Sequence, residues 1–135
     1  MPVVNDSSVV DFDAERAVAS ALEVTGSDLL LVVEYDGEAY KLLYCADVVA
    51  DRYEDDQAMY EHFERVHSHA FHDAERRALS EDLFVDSGET RALTTHMENL
   101  VALRVLGDDE GLFLLLAPDS SVTAVVEAVE GFVRS

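Results

Sequence analysis

The stretch LVALRVLGDDEGLFLLLAPDSSVTAVVEAVEGFV, from Leu100 to Val133, decides the fold. Its first segment alternates. Val101, Leu103 and Val105 share one face and Ala102 and Arg104 the other, which is the period of a strand. The acidic stretch Gly107-Asp108-Asp109-Glu110-Gly111 turns the chain back. Leu112–Ala117 is apolar throughout, as expected of a central strand covered on both faces. Pro118 leaves the sheet, and Asp119, Ser120 or Ser121 caps a final helix. That helix carries Val122, Val125, Val126, Val129, Phe132 and Val133 at helical spacing.

Working outward, Thr90–Met97 reads as a strand joined to Leu100–Leu106 through the turn Glu98-Asn99, and residues 80–88 read as a loop. A long helix is predicted over Gln57–Leu79, opened by the acidic cluster Glu54-Asp55-Asp56, which suits the positive end of the helix dipole. Met59, Phe63, Val66, Ala70, Ala74 and Ala78 form its main stripe. Tyr60, His67 and Phe71 widen that stripe, either as a generous core contact or as contact beyond one sheet face. Before it, Leu29–Tyr35 and Tyr40–Cys45 form a hairpin around Asp36-Gly37, a pair suited to a tight turn with positive φ. Asp47 is a candidate cap for a short turn over Val48–Tyr53. A first helix spans Ala14–Val24, capped by Asp11 or Asp13 and ended by Gly26. The order is α-β-β-α-β-β-β-α. The expected fold is α+β, a five-stranded mostly antiparallel sheet packed against helices. Residues 1–10 are expected to be a flexible head and residues 11–135 a single domain.

Charge bounds the environment. The 135 residues hold 29 Asp and Glu against 9 Lys and Arg, a formal net charge of −20, and Lys41 is the single lysine. Such self-repulsion strains a fold in dilute buffer. At molar salt the Debye length falls to about 3 Å and the repulsion is screened. Acid excess with lysine depletion therefore reads as adaptation to a salt-filled cytoplasm. The same charge disfavours nucleic acid and anionic membranes as partners. No apolar run approaches a membrane span. Lone Cys45 fits a reducing interior, as a small buried residue rather than a nucleophile.

No motif specifies a reaction. There is no phosphate-binding GxxxxGK[ST], no GxGxxG after a strand and no GxSxG. The string His67-Ser68-His69-Ala70-Phe71-His72-Asp73 offers a metal reading. His67 and His69 would point about 160° apart on a helix. His69 with His72 or Asp73 would be true neighbours, with His96 or a carboxylate as a third ligand. The alternative is a set of exposed or edge-of-core histidines, and no cofactor is expected. Tyr35, Tyr40, Tyr44 and Tyr53 could line a pocket, or pack a sheet face with hydroxyls at the rim.

The Leu100–Val133 pattern resembles the C-terminal half of roadblock/LC7-type domains, which belong with the profilin-like and longin-like modules. The likeness extends over roughly residues 13–134. Separately, Val33–Tyr44 and Asp47–Tyr53 resemble small haloarchaeal proteins to which no activity attaches. The roadblock resemblance implies a non-catalytic regulatory or scaffolding module, not an enzyme. It would homodimerise through its long helix and the Thr90–Met97 strand and serve a small GTPase or a polarity or motility complex. On that reading Tyr60, His67 and Phe71 are interface contacts, with Leu93 and Thr95 on the strand. The rival is a PAS-like or GAF-like sensor whose pocket would use the tyrosine hairpin and the histidines.

Stability is expected to rise steeply with salt. Urea unfolding in dilute buffer and in about 2 M potassium chloride checks this, and coincident curves would remove the environmental reading.

Overall fold

The computed structural model describes residues 3–52, 54–67, 81–83 and 85–134. Strand β1 is Val3–Val4, helix α1 Ala14–Thr25, strand β2 Leu29–Asp36 and strand β3 Tyr40–Cys45. Helix α2 is Asp47–Ala50 and helix α3 Asp56–His67. Strands β4, β5 and β6 are Ala92–His96, Val101–Leu106 and Glu110–Leu116, and helix α4 is Val122–Val133. The strands form one sheet in the order β1-β3-β2-β6-β5-β4, and every pairing is antiparallel. The five expected strands are present. The added sixth, β1, comes from the segment expected to be loose.

The first face of the sheet carries the larger core. Val32 from β2, Leu43 and Tyr44 from β3, Val101, Leu103 and Val105 from β5, and Leu112, Leu114 and Leu116 from β6 pack under α1 and α4. Helix α1 contributes Ala14, Ala17, Val18 and Ala21, whose small side chains bring it close to the sheet and to α4. Helix α4 contributes Val125, Val129 and Val133. Each large aliphatic side chain buried here is worth about 1.5–3 kcal/mol relative to exposure. On the second face Leu31, Val33, Leu42 and Cys45 meet Met59 of α3, with Val49 and Ala50 of α2 packed against them.

Caps follow the sequence at most ends. The Asp13 carboxylate accepts from the Arg16 amide at 3.1 Å, and Gly26 ends α1 at φ 56°. Ser121 occupies the N-cap of α4. Asp47 is not a cap but the first residue of α2, with Ala46 before it.

Two local features depart from simple alternation. Val32 pairs with Tyr44 and Val33 with Leu42, so Leu43 is an extra residue in β3. Such a bulge places two successive side chains on one side. Leu43 and Tyr44 accordingly join the first core while Leu42 and Cys45 join the second. The hairpin tip also differs from expectation. Tyr35 pairs with Tyr40, and the Asp36 amide donates to Ala39 O at 3.0 Å. The central residues are therefore Gly37 and Glu38, one place later than Asp36-Gly37, and Gly37 is not at positive φ. The cause is the Asp36 side chain. Its Oδ1 accepts from the Glu38 amide at 2.8 Å and the Ala39 amide at 2.7 Å, closing the turn in place of a backbone carbonyl.

Residues 3–12 lie against the sheet. Val3 and Val4 pair with Cys45 and Tyr44, and Val10 and Phe12 pack against the first core. Their anchor is Glu34, in the middle of β2 and 0% exposed.

Gly111 marks a tight approach between strands. A Cβ there would lie 2.7 Å from Val105 O and 2.9 Å from the Tyr35 hydroxyl. Gly111→Ala is expected to destabilise the chain by about 1–3 kcal/mol, read as a fall in the urea midpoint with unchanged slope.

Candidate interaction surface

Strand β4 lies at one end of the sheet and bonds to β5 alone among the described strands. Its register sets which side chains share a face. Ala92 stands opposite Val105 and turns with it toward the first core. Leu93 stands opposite Arg104 and Thr95 opposite Ala102, so both belong to the second face. Leu93, Ala102, Arg104, Phe113 and Leu115 are half-buried there and Thr95 is exposed. The Arg104 guanidinium lies 5.3 Å from the centre of the Phe113 ring and 5.6 Å from that of Tyr35. Contact of this kind with two aromatic rings favours a cation by about 0.5–1 kcal/mol each at partly exposed sites.

The structure brings Leu93 and Thr95 together and places Tyr60 elsewhere. Helix α3 inserts Met59 over β2 and β3, and those strands are separated from β4 by β6 and β5. Successive strands are about 4.8 Å apart, so β3 and β4 are about 19 Å apart. Tyr60 is 42% exposed, and its carbonyl accepts from the Tyr40 hydroxyl at 3.3 Å. The side chain of His67, together with Phe71, lies outside the described residues. So do the metal candidates His69, His72 and Asp73. His62 and His96 are exposed, and among the described residues no group of three His, Cys, Asp or Glu could hold a metal ion.

The tyrosines do not converge. Tyr44 packs in the first core, whereas Tyr40 joins the second and Tyr35 lies beside Arg104; Tyr53 is outside the described residues. Cys45 is fully buried with its Sγ 4.0 Å from Met59 Sδ. Burial pushes its thiol pKa up and the Asp47 charge adds to this, against a smaller opposing backbone hydrogen bond at Ala50. A thiol in that state is a poor nucleophile.

Ion pairs fasten the start of β4 to α4. The Arg91 guanidinium makes a two-pronged contact with the Glu130 carboxylate. Arg134 pairs with Glu89 and also donates to the carbonyls of Thr90 and Leu106. Between them lies an open cleft of about 710 Å³. Its arginines already meet Glu89 and Glu130, and Glu127 adds a further negative charge. A second cleft of about 340 Å³ is lined mainly by Asp11, Asp108, Asp109 and Glu110. Neither sets a nucleophile beside a base in the geometry that catalysis needs.

Glu34 is the functional-looking residue that sequence reasoning passed over. Its carboxylate accepts from the Ser7 hydroxyl at 2.6 Å, the Ser8 amide at 2.8 Å and the Val9 amide at 2.9 Å. The signal was present: one acid within the apolar run Leu29–Tyr35.

Among the described residues, the antiparallel order with α1 and α4 on the first face and α2 and α3 on the second makes an α+β fold of roadblock-like architecture. A solved structure described as "MglB with tetrameric arrangement" matches it with a TM-score of 0.51 at 20% identity, covering 96% of this chain and 97% of that one. The chain belongs to the family described as Domain of unknown function (DUF7522), whose model matches residues 15–134. A search of curated proteins gave no match. Among the described residues no helix is long and apolar enough to cross a membrane.

The Arg91 guanidinium holds the Glu130 carboxyl below its ordinary range through their hydrogen bonds, against some loss of hydration. A depressed carboxyl contributes stability above its unfolded pKa, and that contribution is lost as pH falls through the folded value. Glu130→Gln is therefore expected to lower stability at neutral pH. The gap to wild type should close as the pH drops below the usual glutamate range, measured by urea unfolding at a series of pH values.

Proposed function

We propose that this chain is a non-catalytic regulatory or scaffolding module that homodimerises through β4 and the helix beginning at Asp56. Its partner on this reading is a small GTPase or a polarity or motility complex in the cytoplasm of a halophile. The observation that carries the proposal is the edge of β4, which pairs with β5 alone among the described strands and bears half-buried Leu93 and exposed Thr95 on one face. An unpaired edge is a template for another strand, and soluble proteins either blunt it or use it. Here the edge strand carries no charged residue between Ala92 and Thr95.

Three further observations support the reading. The fold neighbour is described as having a tetrameric arrangement, which is a precedent for assembly by this architecture. The roadblock resemblance implies service to a GTPase rather than catalysis by the chain itself. The two clefts described above present paired or mainly acidic side chains, not a positioned acid, base and nucleophile.

Light scattering in about 2 M potassium chloride, where charge is screened, is expected to give twice the 14.9 kDa chain mass. Leu93→Asp combined with Thr95→Asp sets like charges against each other across the joined edges and is expected to return the mass of one chain. A monomeric wild type, or a double variant that still pairs, would sink the proposed interface.

A further inference from the structure

Ahead of β4 the chain runs Glu81-Asp82-Leu83-Phe84-Val85-Asp86-Ser87-Gly88-Glu89. Phe84 lies outside the described residues. On either side of it, Leu83 is 65% and Val85 92% exposed. Apolar side chains exposed singly are ordinary on a protein surface, whereas adjoining ones mark contact sites. Among the described residues this is the one place where two exposed large hydrophobics stand so close in the chain. Neither belongs to either core, so the stability of the fold does not account for them. We propose that Leu83 and Val85 form an apolar plug that seats in a hydrophobic pocket, rimmed by lysine or arginine, on a partner protein.

The loop is fastened around these two residues. The Thr90 amide donates to Glu81 Oε1 at 2.8 Å, and the Ser87 hydroxyl donates to Glu81 O at 3.3 Å. Glu81 thus closes the loop from its near end. At the far end Glu89 pairs with Arg134 beyond helix α4. Between these anchors Asp86 has φ 65° and Gly88 φ 79°. Side chains rarely adopt that left-handed region, and aspartate is among the few that do. A loop held in this way loses less conformational freedom on binding than an untethered one.

Charge selects the partner. Asp82 and Asp86 are both exposed, one directly before Leu83 and one directly after Val85. Residues two apart in a chain are separated by at most about 7 Å, so one pocket can take both apolar side chains. The two flanking carboxylates then fall at its rim. Lysine or arginine there meets them with charge-assisted hydrogen bonds. Nucleic acid or an anionic membrane would be repelled. A second copy of this chain brings a net charge of −20 and the same acidic flanks to the contact. The inference goes beyond the proposed dimer, because it requires no strand pairing by β4.

Cys45 is the single cysteine and is fully buried, so Val85→Cys supplies one accessible thiol. The full-length variant is labelled there with a benzophenone and illuminated in an extract of its source cells at their own ionic strength. Cross-linked residues are mapped by mass spectrometry. The cross-link is expected in an apolar pocket of another protein, with lysine or arginine at its rim. Binding of that protein, purified, is then measured in about 0.15 M and about 2 M potassium chloride, which differ in how far they screen charge. Leu83→Asp combined with Val85→Asp is expected to weaken binding about thirtyfold at both salts. Asp82→Asn combined with Asp86→Asn should weaken it severalfold at the lower salt and not at the higher; asparagine also accepts the Asp86 backbone conformation. Each variant should keep the urea midpoint and the light-scattering mass of the wild type, which separates this contact from pairing through β4. Absence of a cross-link, a cross-link to a second copy or to a pocket without basic residues, a changed mass, or affinity untouched by the two aspartates would each overturn the proposal.

Discussion

Strand β2 has no free side. It is hydrogen-bonded to β3 on one flank and β6 on the other, and Leu31, Val32, Val33, Glu34 and Tyr35 are all buried. Every polar group on such a strand must be satisfied from within the protein. The backbone is satisfied by the two ladders. The Glu34 carboxylate is not, and this one requirement recruits Ser7, Ser8 and Val9. It fixes the course of the N-terminal segment across the sheet. That segment in turn sends Val10 and Phe12 onto the first core, and Asp11 to the Glu110 carboxylate at the start of β6. The head, the β3 edge and the β5–β6 turn are thus connected to one buried charge.

The architecture was legible because its signals are periodic. Alternation in Val101–Leu106 and the unbroken apolar run Leu112–Leu116 specify two strands; the structure places both inside the sheet, with Val101, Leu103 and Val105 on the first core. Helix α4 shows its core side through buried Val125, Val129 and Val133, with Val122, Val126 and Phe132 packed beside them. The misreadings came from side chains that take backbone roles, which no periodicity reports. Asp36 closes its own turn through its carboxylate, and the Asn5 side chain continues a ladder that its backbone leaves. Glu34 needed the tertiary fold to show why an acidic residue belongs inside. For the candidate site, the shared face of Leu93 and Thr95 followed from strand period two. The distance from that face to Tyr60 depended on strand order, which a single sequence does not encode directly.

Among the described residues Arg91 pairs with Glu130 and Arg134 with Glu89, and Arg104 lies over aromatic rings. What remains exposed is largely carboxylate. Such a surface repels indiscriminate association, and main-chain groups at a sheet edge are the kind that can pair with another strand.

The extra residue Leu43 has a consequence for how this hairpin can vary in length. With one residue more on β3 than on β2 between the paired positions, Leu42 and Cys45 point to the helix α3 side while Leu43 and Tyr44 point to the other. Deleting a single residue between Leu42 and Tyr44 would merge these into simple alternation. The deletion would then push one of the two pairs through the sheet to the wrong layer. Length changes are tolerable only at Gly37–Ala39, outside the ladder, so natural or engineered insertions in this part of the chain should accumulate there and nowhere else in the hairpin.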